Sequence, residues 1–336
     1  MITALDIALD SRGDAPQWRL TETGGSVGAG WAVGRPAEEV AQLMPRVFNL
    51  CAGAHAQAAR GALGLPAGDA APLAAVARWE RLRDHAVAIL CDWPSIVGRP
   101  ADRAVLKGAA AKGLAGGSPE AAQMLRRHLL GAAIDLPAAT AGTVDRWLAA
   151  AASPTASLLA HIRATVDPAW GRAELARPNM ADIVAALDAG APTEPRETTA
   201  ADAWRATPVL RELHARDGAS LFVRMFARLL DLLGCLDAGD SDGDGESLVP
   251  GSGIGLARAA RGLLAHRARV AGGLVTDYRV LSPSAWNLAP NGLLARALAA
   301  LPMNGHTPML ARLVVSCVNP CVPVTLRLGA REEAHA

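Results

Sequence analysis

The 336-residue chain is long enough for a sizeable core, and its 51% hydrophobic content with only 4% aromatics rests on Ala and Leu, which favours helix. A net charge of +1 with scattered arginines and no basic block argues against a nucleic-acid binder that tracks phosphates. No apolar run of about eighteen residues occurs, Asp6 stands where a secretory leader would be basic, and five widely spaced cysteines make no disulfide framework, so a reducing cytoplasm and no membrane span are expected.

Taken in order, residues 2–9, 18–23 and 29–33 are short apolar or alternating pieces that read as strands. Pro36-Ala-Glu-Glu39 opens a helix with acids in its first turn. That helix is expected to break near Pro45 and to restart around Cys51, reaching about residue 63. If Cys51 to His55 is helical, thiol and imidazole share one face. A succession of helices follows at 73–92, 119–133, 143–151, 154–164, 180–187 and 200–236, punctuated by glycine and proline clusters.

Residues 238–255, rich in Gly, Asp and Ser, read as an exposed loop. Within it, Asp240-Ser-Asp242-Gly-Asp244-Gly245 fits half of a calcium loop. Gly251 stands where the bidentate Glu is needed, so a solvated acidic loop is the reading. Segments 261–270 and 274–281 flank Ala-Gly-Gly273 as a hairpin; 290–301 reads as helix, 308–315 is apolar and ambiguous, and the tail after Leu328 is polar. The expected organisation is one α-rich α+β unit. It has short strands over 1–36, a helical core over 37–237, the loop over 238–255, and a hairpin with the second thiol motif over 256–328.

The chemistry concentrates in Arg46-Val-Phe-Asn-Leu-Cys51-Ala-Gly-Ala-His55 and in Cys317-Val-Asn-Pro-Cys321. Thiolate is the soft ligand for iron, nickel or zinc, whereas an isolated free Cys is more often a small core hydrophobe. The flanks shift that balance. Arg46, Cys51 and His55 resemble the first metal motif of nickel–iron hydrogenase large subunits, Arg-x-Cys-Gly-x-Cys-x-x-x-His, with Phe48 and Asn49 in place of the first Cys and the Gly. Pro320-Cys321 resembles the family's last motif, Asp-Pro-Cys-x-x-Cys, with Asn319 and Val324 in place of the Asp and the second Cys. Between them, Ala259-Ala-Arg261-Gly262 with His266 resembles the family's Ala-Pro-Arg-Gly segment. Tyr278 and Pro283-Ser284-Ala-Trp286-Asn287 resemble its Tyr and Pro-Ser/Thr-Thr-Trp-Asn segment.

The resemblance implies a hydrogenase large-subunit-like fold and a depleted metal site. By position, Cys51 corresponds to a bridging ligand and Cys321 to a terminal nickel ligand, whereas Phe48 and Val324 cannot coordinate. Arg261 and Ser284 fall where the family approaches the cyanides of its iron, and His55 would lie behind the metal. Asn319 stays open between a turn cap and a place near the metal, and Cys317 between a substitute thiol and core. The family's N-terminal catalytic Glu has no counterpart here, so no catalytic residue is assigned and no nickel is expected. Within the superfamily the pattern is most similar to the HupK/HoxV accessory proteins. That implies a cytoplasmic scaffold for the Fe(CN)2(CO) fragment, working with a HypC-type chaperone and the hydrogenase large-subunit precursor. The chain ends soon after Cys321, so no long precursor extension is expected. The alternatives are a divergent hydrogenase with an incomplete site and a docking subunit without metal.

Overall fold

The structure is a computed structural model and describes residues 4–10, 17–24, 28–66, 70–237, 252–328 and 331–335. Strands β1 (Ala4–Asp10) and β2 (Gln17–Thr23) precede α1 (Ala37–Val47), α2 (Ala52–Ala62) and α3 (Ala70–Val87). A π-helical turn, Ala88–Asp92, carries α3 into α4 (Trp93–Ile96). Then come α5 (Arg103–Ala111), α6 (Pro119–Leu130), α7 (Ala141–Ala150), α8 (Pro154–Thr165), α9 (Met180–Ala189), α10 (Ala200–Ala203), α11 (Pro208–Asp217) and α12 (Leu221–Asp237). The C-terminal third holds β3 (Ile254–Ala259), β4 (Gly262–Ala271), β5 (Leu274–Leu281), α13 (Pro283–Asn287), α14 (Leu293–Ala299), α15 (Thr307–Val318), β6 (Val324–Leu328) and β7 (Arg331–His335). The architecture is helix-rich α+β, as the Ala/Leu composition requires.

The helices share one large core organised on α12, whose residues from Leu221 to Leu233 are all buried. A helix apolar on every side must lie inside the bundle. It nevertheless carries Arg224, Arg228 and Asp231, each buried and each paired outside the helix, with Glu197, Asp84 and Arg258. Two small sheets flank the helices. One has the order β2-β1-β6-β7, with β1 and β6 parallel, so the two chain ends meet. The other is the meander β3-β4-β5.

The expected hairpin forms, turning at Gly272-Gly273. Several expectations are corrected. Segment 29–33 is not a strand: Ala29–Ala32 is a 3-10 turn, and the chain then pairs along β5 through Gly34 N–H to the Val275 carbonyl at 2.8 Å. Pro45 does not break α1, because it sits in the last turn and its missing N–H frees only one carbonyl. The break falls at Phe48, so Cys51 ends a 3-10 turn, and α2 starts one residue later. Residues 200–236 form three helices, divided at Pro208 and Gly218. The short elements α5, β3 and α13 were not read from the sequence. Residues 308–315 belong to α15. Of the exposed loop, residues 238–251, including the calcium-like motif, lie outside the described residues, whereas Ile254 and Gly255 open β3 and Ile254 is buried.

Candidate metal centre

Helix α2 is built almost wholly of Ala and Gly and lies between α3 and the β3-β4 hairpin. Small side chains let those backbones approach closely. A Cβ on Gly255 would stand 2.0 Å from the Ala58 carbonyl oxygen, so β3 can rest on α2 only with glycine there. This clamp fixes Cys51 at the helix start, 7% exposed. Gly53 N–H donates to Glu80 Oε2 of α3 at 3.0 Å, tying the first turn down. Burial pushes the Cys51 thiol up to about 12, against the pull of the Arg261 guanidinium, and the neighbouring Cys321 sulfur raises it further. Thiolate there forms only with a strong compensating cation, and a metal ion supplies one.

Cys321 comes from the other end of the chain. Helix α15 stops at Asn319, whose backbone is left-handed (φ 52°) and whose N–H reaches the Val315 carbonyl at 2.8 Å. Pro320 prevents any continuation. The Cys321 backbone N–H then donates to Ser284 Oγ at 2.9 Å, at the start of α13. Ser284 therefore orients the turn bearing the second thiol. Val324, three residues after Cys321, opens β6 and pairs with Leu5 of β1 in the core. Phe48, at the other altered position, stacks on the His55 ring with centroids 4.4 Å apart.

Arg261 precedes a residue that has to be glycine. Gly262 has φ +124°, and a Cβ there would lie 1.9 Å from the Thr198 carbonyl oxygen. Asn287 clamps the same turn: its Nδ2 donates to the Arg261 carbonyl at 3.2 Å, and its Oδ1 accepts from Thr198 N–H at 3.2 Å. So held, the Arg261 guanidinium pairs with Asp84 at 3.2 Å and reaches the Pro320 carbonyl at 3.5 Å. Asp84 also accepts from Arg228 at 3.1 Å and from Asn319 Nδ2 at 2.8 Å. Burial would raise its carboxyl, but Arg261 and then Arg228 outweigh that and hold it below the ordinary value. Asn319 thus both caps α15 and sits among the charged groups beside Cys321.

His55 is 4% exposed, and its Nδ1 lies 3.0 Å from His266 Nε2, whose ring nitrogen Nδ1 lies 2.8 Å from the Tyr278 hydroxyl. Burial lowers His55 to about 3 and His266 well below the usual imidazole range, so both are neutral at pH 7. Cys317 lies deeper, within the helical core on α15, where burial raises its thiol to about 11 and Arg228 and Arg224 pull against that. Arg46 is exposed.

The sequence reading missed Asp84, Arg228 and Glu80. A signal existed for Arg228: Arg224, Arg228 and Asp231 make a polar stripe at helical spacing on α12 among apolar neighbours, whereas Asp84 stands in the charged run Glu80-Arg81-Leu82-Arg83-Asp84-His85. Asp84, Arg228, Arg261, Asn319 and Cys321 line one cleft of about 900 Å³, with Leu50 and Val87 exposed beside them. Among the described residues, no group of three or more His, Cys, Asp or Glu side chains could hold a metal ion.

This fold is that of a nickel–iron hydrogenase large subunit. An NAD+-reducing nickel–iron hydrogenase in its H2-reduced state superposes with a TM-score of 0.59 at 16% identity, covering 93% of this chain and 94% of the other. The nickel–iron–selenium hydrogenase from D. vulgaris Hildenborough gives 0.56 at 12% identity, covering 95% and 98%. No protein-family model matches the chain. In sequence it is 34% identical over 340 residues, the full length of both chains, to the hydrogenase expression/formation protein HupK of Rhodobacter capsulatus. It is 26% identical to HoxV of Cupriavidus necator, over 88% of this chain and 89% of that one. It is 28% identical to HupK of Bradyrhizobium diazoefficiens, over 99% and 95%. The chain belongs to the HupK/HoxV family of hydrogenase expression/formation proteins.

Proposed function

We propose that this protein serves hydrogenase maturation as a non-catalytic scaffold carrying the Fe(CN)2(CO) fragment as cargo. The observation that supports this most is that Cys51 and Cys321, drawn from opposite ends of the chain, come near enough for the Cys321 sulfur and the Arg261 guanidinium both to act on the Cys51 thiol, while Ser284 holds the Cys321 turn. Two thiolates and the fragment's own three diatomic ligands nearly complete the iron's sphere and leave a position for a donor from a partner. Arg261 is a fitting donor to anionic cyanide nitrogen, since charge-assisted hydrogen bonds are the strong ones. The charges also complement. Four guanidiniums against two carboxylates leave the cleft lining with two surplus positive charges. A ferrous ion with two cyanides and two thiolates carries two surplus negative ones.

Nickel is not part of this cargo. Where the large subunits have two further cysteines, Phe48 is stacked on His55 and Val324 is paired into β6. Delivery and removal fall to a HypC-type chaperone and to the hydrogenase large-subunit precursor, and the work is cytoplasmic. The test is the double variant Cys51→Ser, Cys321→Ser replacing the native chain in a host that makes hydrogenase. The expected result is loss of mature hydrogenase with the scaffold at its usual level. Undiminished maturation would leave a docking subunit as the better account, and hydrogen–dye activity of the purified native chain would favour a divergent enzyme.

A further inference from the structure

A second cavity, of about 420 Å³, lies on the other side of the π-helical turn from the metal-site cleft. Its size is that of a small-molecule site. It opens against the first turn of α8, a twelve-residue helix whose positive end favours an anion. Pro154 occupies the first helical position, and Ser153 Oγ already accepts from Ala156 N–H at 3.0 Å.

Two side chains distinguish this helix start from an ordinary one. Thr155 lines the cavity, is 1% exposed, and its Oγ1 has no hydrogen-bond partner. A buried hydroxyl without a partner is costly and uncommon. Arg99 lines the same cavity and donates to Ser157 Oγ at 3.1 Å. Among the described residues no carboxylate pairs with Arg99. Asp102, the acidic group in the wall, has its Oδ2 2.8 Å from His128 Nε2. The remaining wall is apolar, from Ile89, Leu90 and Leu158.

We infer that this cavity binds a small organic anion, with its charged head on Arg99 and Thr155 at the start of α8 and its apolar body against Ile89, Leu90 and Leu158. Thr155 donates its hydroxyl hydrogen to the anion, which resolves its missing bond. Arg99 supplies the charge, and the helix start adds to it. The site is separate from the metal cargo and stands whether or not the carrier reading does.

The test uses the full chain, titrated by calorimetry with benzoate and phenyl phosphate, and with benzamide as the uncharged counterpart. Saturable binding of either anion, with benzamide at least about tenfold weaker, is expected, together with a loss of about tenfold in Arg99→Gln. Thr155→Val, nearly equal in volume, is expected to weaken the anion severalfold and supplies the same test should Arg99→Gln not fold. The inference is overturned if neither anion saturates below about 10 mM, if benzamide binds equally well, or if Thr155→Val leaves affinity unchanged. A carboxylate preference over phosphate, or the reverse, identifies the head group.

Discussion

Arg261 and Asp84, 177 positions apart in the chain, form an ion pair at 3.2 Å in the cleft that also holds Cys321. Arg228 and Asn319 share the same carboxylate at 3.1 and 2.8 Å. One acid thus sets the direction of two guanidiniums and of the residue that ends α15. Asp84→Asn removes the counter-charge while keeping the shape, leaving the buried Arg228 and the half-buried Arg261 without that carboxylate. A loss of about 2–3 kcal/mol is expected, read as a lower urea midpoint at unchanged slope, with weaker retention of cargo. An unchanged midpoint would mean that water replaces the carboxylate without cost.

Gly262 is the hinge of the same site. Gly262→Ala puts a methyl against the Thr198 carbonyl and forces a β-carbon into a left-handed region. A cost of about 3 kcal/mol or more is expected in denaturant unfolding, since backbone on both sides has to move.

Stability should fall with acid before ordinary carboxylates titrate. His55 is lowered by burial to about 3, and His266 is lowered by burial and by His55. Their folded values are depressed, so the unfolded chain takes up the protons first. Their contribution is complete above about pH 6.5 and is lost as pH falls toward 3, by up to about 1.4 kcal/mol per pH unit for each histidine. Unfolding measured across that range should show the slope, and His55→Gln should reduce it by about one proton. A flat profile from pH 6.5 to 5 would contradict buried neutral imidazoles.

Ser284→Ala deletes the acceptor of the Cys321 N–H. A small stability loss, about 1–2 kcal/mol, is expected from leaving that donor unpaired. The larger effect should fall on cargo, because the turn bearing the thiol loses its tether, and less iron should copurify.

Much of this was legible in the residues. The hairpin announced itself through Gly-Gly between alternating strands, and the two thiol motifs through their spacing to His55 and Pro320. The positions of Arg261 and Asn287 followed from the same ordered segments. What stayed hidden depends on contacts distant in sequence. Asp84 reads as one more exposed acid of a helix until Arg228 and Arg261 converge on it. Pro45 reads as a breaker until its place in the final turn of α1 is known. Ala29–Ala32 reads as strand because local pattern does not show that its continuation pairs with β5. Cys317, one turn before Cys321, reads in the sequence either as a substitute thiol or as core, and only the packing of α15 buries it in the helical core.

The most direct measurement is the infrared spectrum of the protein purified from cells able to make the cofactor. Carbonyl and cyanide stretches fall in a window without protein bands. One carbonyl and two cyanide bands are expected in the native protein, and their loss in Cys51→Ala and in Cys321→Ala. A blank spectrum from a fully competent host, or bands that persist in both variants, would contradict a carrier that holds its iron through these two thiols.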